Sequence, residues 1–158
     1  MVWLDNLGYE IDLGDEVFSL TGTTAYTVQK IKKLSSRKEV FSVATVVLES
    51  GITVYAHNVI GLRELGITSE QINVNMQGKM GFDTFGNPIK VCDKILYLHR
   101  MEMYTTVGIV RKLASKNCIM DIEKNRFGQI TYKKPYMEII SLTALGLSED
   151  IIKKENRY

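Results

Sequence analysis

Cysteine and proline are nearly absent, with two of each in 158 residues. Cys92 and Cys118 have no C-x-x-C partner, which excludes a disulfide-stapled scaffold and a zinc ribbon. Both are expected to be buried free thiols of a reducing compartment. The two histidines, His57 and His99, lack a second histidine or carboxylate at ligand spacing, so no metal site is expected. The chain also lacks G-x-S-x-G and the phosphate-loop pattern G-x-x-x-x-G-K-[ST]. With no acid–base constellation in view, the protein is expected to be non-catalytic and to use no cofactor. Apolar runs extend only a few residues, too few for a transmembrane helix. The opening VWLDNLGYEID has neither the basic start nor the apolar core of a signal peptide. A cytoplasmic location is expected, meaning the host cytoplasm or nucleoid if the chain is viral.

What is present is the balance of a folded protein, 45% hydrophobic and 24% charged. The formal net charge of +2 hides an asymmetry between the halves. Residues 1–78 carry six Lys/Arg and nine Asp/Glu, 6 − 9 = −3, whereas residues 79–158 carry fourteen and nine, 14 − 9 = +5. The segment VQKIKKLSSRK (28–38) holds five cations, and VGIVRKLASKN (107–117) echoes it.

That echo belongs to a duplication, the feature to be sought first because it sets the fold. DNLGYEIDLGDEVFSL from Asp5 aligns without a gap on DTFGNPIKVCDKILYL from Asp83. The equivalences include Asp5/Asp83, Gly8/Gly86, Ile11/Ile89, Asp15/Asp93 and Val17/Ile95. YTVQKIKKL then matches YTTVGIVRKL, and VIGLRELGITSEQI matches IISLTALGLSEDII. Two units are expected, 1–76 and a more basic 77–158. Within each, Asp15–Leu20 and Asp93–Leu98 alternate as half-buried strands, and VFSVATVVL (40–48) is rich in β-branched residues. Val28/Ile31 and Val107/Val110 lie three apart rather than two, which predicts bulges at Gln29-Lys30 and Gly108-Ile109. Such bulges curl a short strand set. Leu62/Leu65 and Leu142/Leu145 predict helical turns ended by Gly66 and Gly146. Thr68 and Ser148 are expected helix N-caps, with Glu70 or Glu149-Asp150 in the first turn and Lys153-Lys154 at the far end of the last helix. In the connector INVNMQGKMG, the alternation of Ile72, Val74 and Met76 suggests a packed strand. Asp15 and Asp93, at strand entrances, are expected to fix turns through their own backbone.

The run V-G-I-V-R-K-L behind an Asp and an alternating strand resembles the KOW/Tudor class. Gly108, Val110 and Leu113 match its core best, and the first copy departs from it, with Gln29 in the glycine's place. The resemblance implies a mainly β protein of two tandem small Src-homology-3-like barrels with short terminal helical turns. It also implies binding to nucleic acid, to ribosomes or RNA polymerase, or to modified protein tails.

The residues fit largely sequence-nonspecific binding of nucleic acid, with double-stranded DNA favoured. Long cationic side chains meet phosphates, and such contacts set affinity without reading sequence. The candidates are Lys30, Lys32, Lys33, Arg37 and Lys38 in the first copy, and Arg111, Lys112, Lys116, Lys124, Arg126, Lys133 and Lys134 in the second. A lysine-rich strand face is also what an ordinary solvated sheet presents. Tyr26 and Tyr104 share one position and are candidates for stacking, whereas Phe82, Phe85, Tyr97, Phe127, Tyr132 and Tyr136 are expected in the core. A phage-encoded protein of this kind would organise DNA or alter host transcription. The alternative is a protein-interaction module that docks RNA polymerase or a host regulatory protein through β edges or the L-G-[IL] segments.

Overall fold

Alternation and β-branching produce the strands, and the computed structural model describes residues 1–99, 104–125 and 128–147. The chain divides into two units, Met1–Gln71 and Ile72–Tyr158. The division falls after Gln71 rather than after Met76. The N–H of Asn73 donates to the carbonyl of Phe85 at 3.0 Å, so the connector packs as part of the second unit. The connector forms a 3₁₀ turn, Val74–Met76, and not the strand its alternation suggests. Asparagines on both sides favour turns over ladders.

The first unit runs β1 (Glu16–Ser19), β2 (Val28–Lys38), β3 (Ser42–Leu48), β4 (Thr53–Tyr55) and β5 (Val59–Gly61). They form one antiparallel sheet in the order β4-β3-β2-β1-β5. Strands β4 and β5 occupy opposite edges, yet only a 3₁₀ turn, Ala56–Asn58, joins them. Four inter-strand spacings of about 4.8 Å would separate flat edges by about 19 Å. Four residue steps span at most about 14 Å, so the sheet must curl. It does not close: the edges β4 and β5 make no ladder with each other, and a hydrogen-bonded barrel is not formed. Ile11, Val17, Ile31, Val46, Leu48, Ala56 and Val59 form the core, with Trp3 and Leu34 packed against it.

The second unit repeats the pattern with β6 (Lys94–His99), β7 (Tyr104–Leu113), β8 (Asn117–Asn125), β9 (Gly128–Pro135) and β10 (Ile139–Ser141). Its order, β10-β6-β7-β8-β9, is that of the first sheet. Ile89, Ile95, Val110, Cys118, Met120, Tyr136 and Ile139 stand where Ile11, Val17, Ile31, Val46, Leu48, Ala56 and Val59 stand in the first core. The loop bonds repeat as well. Asp5 accepts from the backbone N–H of Leu7, Tyr9 and Gly61, and Asp83 accepts from Phe85, Asn87 and Ser141. Asp15 accepts from the N–H of Asp12 and Asp93 from that of Lys90, the turn-fixing role expected of them. Both helical turns end on glycines at φ 66°. In the first, Ile67 N–H reaches back to Leu62 O, and in α1 (Leu142–Leu145) Leu147 N–H reaches Leu142 O.

Each long second strand carries one bulge, two residues beyond the expected place. The register shifts between Ile31 and Lys33 and between Val110 and Lys112, so Lys32 and Arg111 are the extra residues. The core spacing that crosses the bulge is Ile31/Leu34 and Val110/Leu113. Val28 pairs with Phe18 on the face away from Ile31, so its three-residue spacing had a different cause. Downstream, Thr68 opens a 3₁₀ turn, Ser69–Gln71, and the Gln71 side chain accepts from the Thr68 N–H at 2.8 Å. Ser148, Glu149, Asp150, Lys153 and Lys154 lie outside the described residues. No helix among those described is long and apolar enough to cross a membrane.

Candidate nucleic-acid interface

Directly paired residues of an antiparallel sheet share a face, so register shows which cations come together. In the second unit Lys112, Ile119 and Lys133 pair in one row across β7, β8 and β9. Lys94, Ile109, Asp121 and Thr131 form the next row across β6 to β9. Both rows lie opposite the core face that holds Val110 and Met120. The bulge adds Arg111 to them: its Nη1 is 3.3 Å from Thr131 Oγ1 and 3.7 Å from Asp121 Oδ1. Thr131 in turn donates to Asp121 at 3.0 Å. Lys94, Arg111, Lys112 and Lys133 are all exposed. Asp121 is the one acid on these rows. An exposed ion pair such as Arg111–Asp121 holds its members weakly, so a phosphate can compete for the guanidinium.

The other second-copy candidates separate from this face. Lys134 pairs with Cys118 on the core side, half-buried, with its Nζ 5.4 Å above the Tyr97 ring. Lys116 is exposed in the short β7–β8 turn. Arg126 lies outside the described residues, as do the side chains of Lys124 and Tyr104. Sequence reasoning missed Lys94, although it takes the place of Glu16 in the duplication and so reverses the local charge.

In the first unit the same face carries Lys30, Lys33 and Arg37, with Lys32 exposed at the bulge. Here acids accompany the cations. Glu16 pairs across from Lys30, and the Glu49 carboxylate accepts the Lys30 N–H at 3.2 Å. Arg37 lies 3.7 Å from Glu39 and donates to Tyr55 Oη at 3.2 Å, while that hydroxyl donates to Glu39 at 2.6 Å. The hydrogen bond to Glu39 is the main cause that raises the Tyr55 pKa. Ser35, Arg37, Thr45, Thr53 and Tyr55 line a groove of about 460 Å³. Lys38 falls on the opposite face, beside the hairpin tip.

Tyr26 is not presented for stacking. It adopts φ 63°, is half-buried, and its ring leans on Phe18 at 6.2 Å. Phe85, Tyr97 and Tyr136 are core residues, as expected, while Tyr132 remains at the surface stacked on Tyr97 at 5.8 Å. Phe127 lies outside the described residues. Cys118 is buried, and burial pushes its thiol pKa up to about 11. Cys92 is exposed, contrary to expectation, because it occupies a turn rather than a strand. His57 stacks on Tyr55 at 5.1 Å, and burial lowers its pKa. Among the described residues no group of three or more His, Cys, Asp or Glu could hold a metal ion. The chain matches no protein-family model and no curated protein.

Proposed function

We propose that this protein binds duplex nucleic acid, double-stranded DNA above all, mostly through phosphates and with little sequence preference. The observation that carries the proposal is the set of four exposed cations, Lys94, Arg111, Lys112 and Lys133, on one face of the second sheet. A curved sheet studded with long cationic side chains follows a backbone without needing to reach base edges. Both units are read as members of the Src-homology-3-like KOW/Tudor class. The strand order, the bulged second strand and the 3₁₀ turn before the last strand support that assignment. The role that fits is non-catalytic, namely organising DNA or altering transcription in the cytoplasm or nucleoid where the chain works.

The test is duplex binding by the purified chain across a salt series. Each phosphate neutralised contributes about 0.9 to the slope of log affinity against log salt. Arg111→Ala, Lys112→Ala and Lys133→Ala together should remove up to about 2.7 from that slope. An unchanged slope would move the site elsewhere. No duplex binding at low salt would transfer the function to a protein partner docked on the sheet edges.

A further inference from the structure

The two units differ in length at two hairpins: β8–β9 is the longer in the second unit, and β2–β3 is the longer in the first. Leu34 and Leu113 are equivalent, as are their neighbours across the ladder, Val46 and Cys118. Between each pair the second unit has only Ala114–Asn117, whereas the first has the whole stretch from Ser35 to Thr45. This insertion extends β2 and β3 into an arm beyond their pairing with β1, which stops at Lys30. The second core is complete without such an arm, so the extension answers some other need.

The arm's tip is apolar where solvent should favour polar residues. The loop Glu39-Val40-Phe41 links the last pair, Lys38 and Ser42, with Val40 96% and Phe41 75% exposed. The base of the arm is braced. Trp3 Nε1 donates to the carbonyls of both Ser35 and Thr45, and the Ser35 and Thr45 hydroxyls bond each other at 2.7 Å. Nearer the tip, Arg37 and Tyr55 hold Glu39, the one acid there, and counter its charge in place. Cations flank the tip on both faces of the ribbon, Arg37 on one and Lys38 on the other. A braced, cation-flanked arm with an apolar end suits a groove walled by phosphates, and a preordered arm loses little freedom on insertion.

We infer that the β2–β3 arm is a wedge whose Val40 and Phe41 enter the minor groove of duplex DNA and insert between base pairs. Apolar side chains placed there unstack a step and kink the duplex, while Arg37 and Lys38 meet the phosphates on either side. The inference rests on the duplex-binding proposal above and adds deformation to it.

The test uses the full chain with a short duplex that carries 2-aminopurine at its central TA steps and a donor–acceptor dye pair at its ends. Binding should raise 2-aminopurine fluorescence and bring the ends together. Val40→Ser with Phe41→Ser should lose both signals and keep the salt slope of binding. Both side chains are solvent-exposed, so the variant should melt with the parent. Duplex binding without unstacking or bending overturns the wedge and leaves phosphate binding in place. Equal bending by the double variant also overturns it. Failure of the parent to bind duplex at low salt overturns both proposals and points to a protein pocket as the tip's partner.

Discussion

Asp5 and Asp83 show how far one side chain organises each unit. Each is buried and accepts three backbone N–H groups, two from its own loop and one from the closing strand almost sixty residues later. The loop is thereby tied to β5 or β10. An amide in place of the carboxylate would set one N–H against another. Asp83→Asn should therefore lower stability by about 1–3 kcal/mol despite its matched size, as a thermal or urea melt would show. Burial pushes the Asp83 carboxyl from its ordinary 3.8 to about 6, against the pull of the N–H donors of Ser141, Asn87 and Phe85. The folded chain thus holds this proton more tightly than the unfolded chain does. Its contribution to stability falls as pH rises from about 4 to about 6 and is constant above that. A carboxyl carbon resonance of Asp83 titrating near 4 would refute this. The Asp5/Asp83 equivalence was legible from alignment of the two copies. Burial and the three donors were not, because the closing strands lie far along the chain.

At the scale of elements, bulges and turns decide which residues face out. The bulges at Lys32 and Arg111 put two successive cations outside between core residues. The Val28/Ile31 and Val107/Val110 spacings from which they are expected do not cross them; Ile31/Leu34 and Val110/Leu113 do. Their position was not legible, since Val28 has the same spacing to Ile31 yet faces away. A second decision lies in the turn before β6. Cys92 adopts φ 77°, and its copy-one equivalent, Gly14, adopts φ 83°. Both N–H groups bond the same carbonyl position, Ile31 O for Gly14 and Val110 O for Cys92. A side chain in the left-handed region costs about 1–2 kcal/mol. Glycine gives back about 0.5–1 kcal/mol of that through the freedom of its unfolded chain. Cys92→Gly should therefore stabilise the protein by about 0.5–1 kcal/mol, which differential scanning calorimetry would read as a raised Tm. An unchanged or lowered Tm would show that the turn carries no such strain.

Over the whole molecule, duplication supplied two similar sheets and divergence gave them different charges. The first copy keeps Glu16, Glu39 and Glu49 beside its cations, and the second replaces Glu16 with Lys94 and, among the described residues, has Asp121 as the one acid on its basic rows. Removing Lys32, Lys33 and Arg37 together should therefore weaken duplex binding less than removing Arg111, Lys112 and Lys133. Competition binding of the two triple variants at one salt concentration ranks them. The reverse order would assign the main contact to the first unit. The first copy has the longer β2–β3 hairpin, the arm, and the second the longer β8–β9 hairpin.

The amino-acid sequence by itself determined the mainly β character, the duplication and the strand set. Those follow from short-range periodicity and from comparing one half of the chain with the other. Only the tertiary structure decided which cations share a face, because a one-residue change of register turns every side chain over. It parted Lys134 from Lys133, put Lys94 on the face that carries Arg111, and left Val40 and Phe41 exposed beyond the end of the core. The physical reason is common to all three. A face is set by pairing between strands, and pairing joins residues that the chain itself keeps apart.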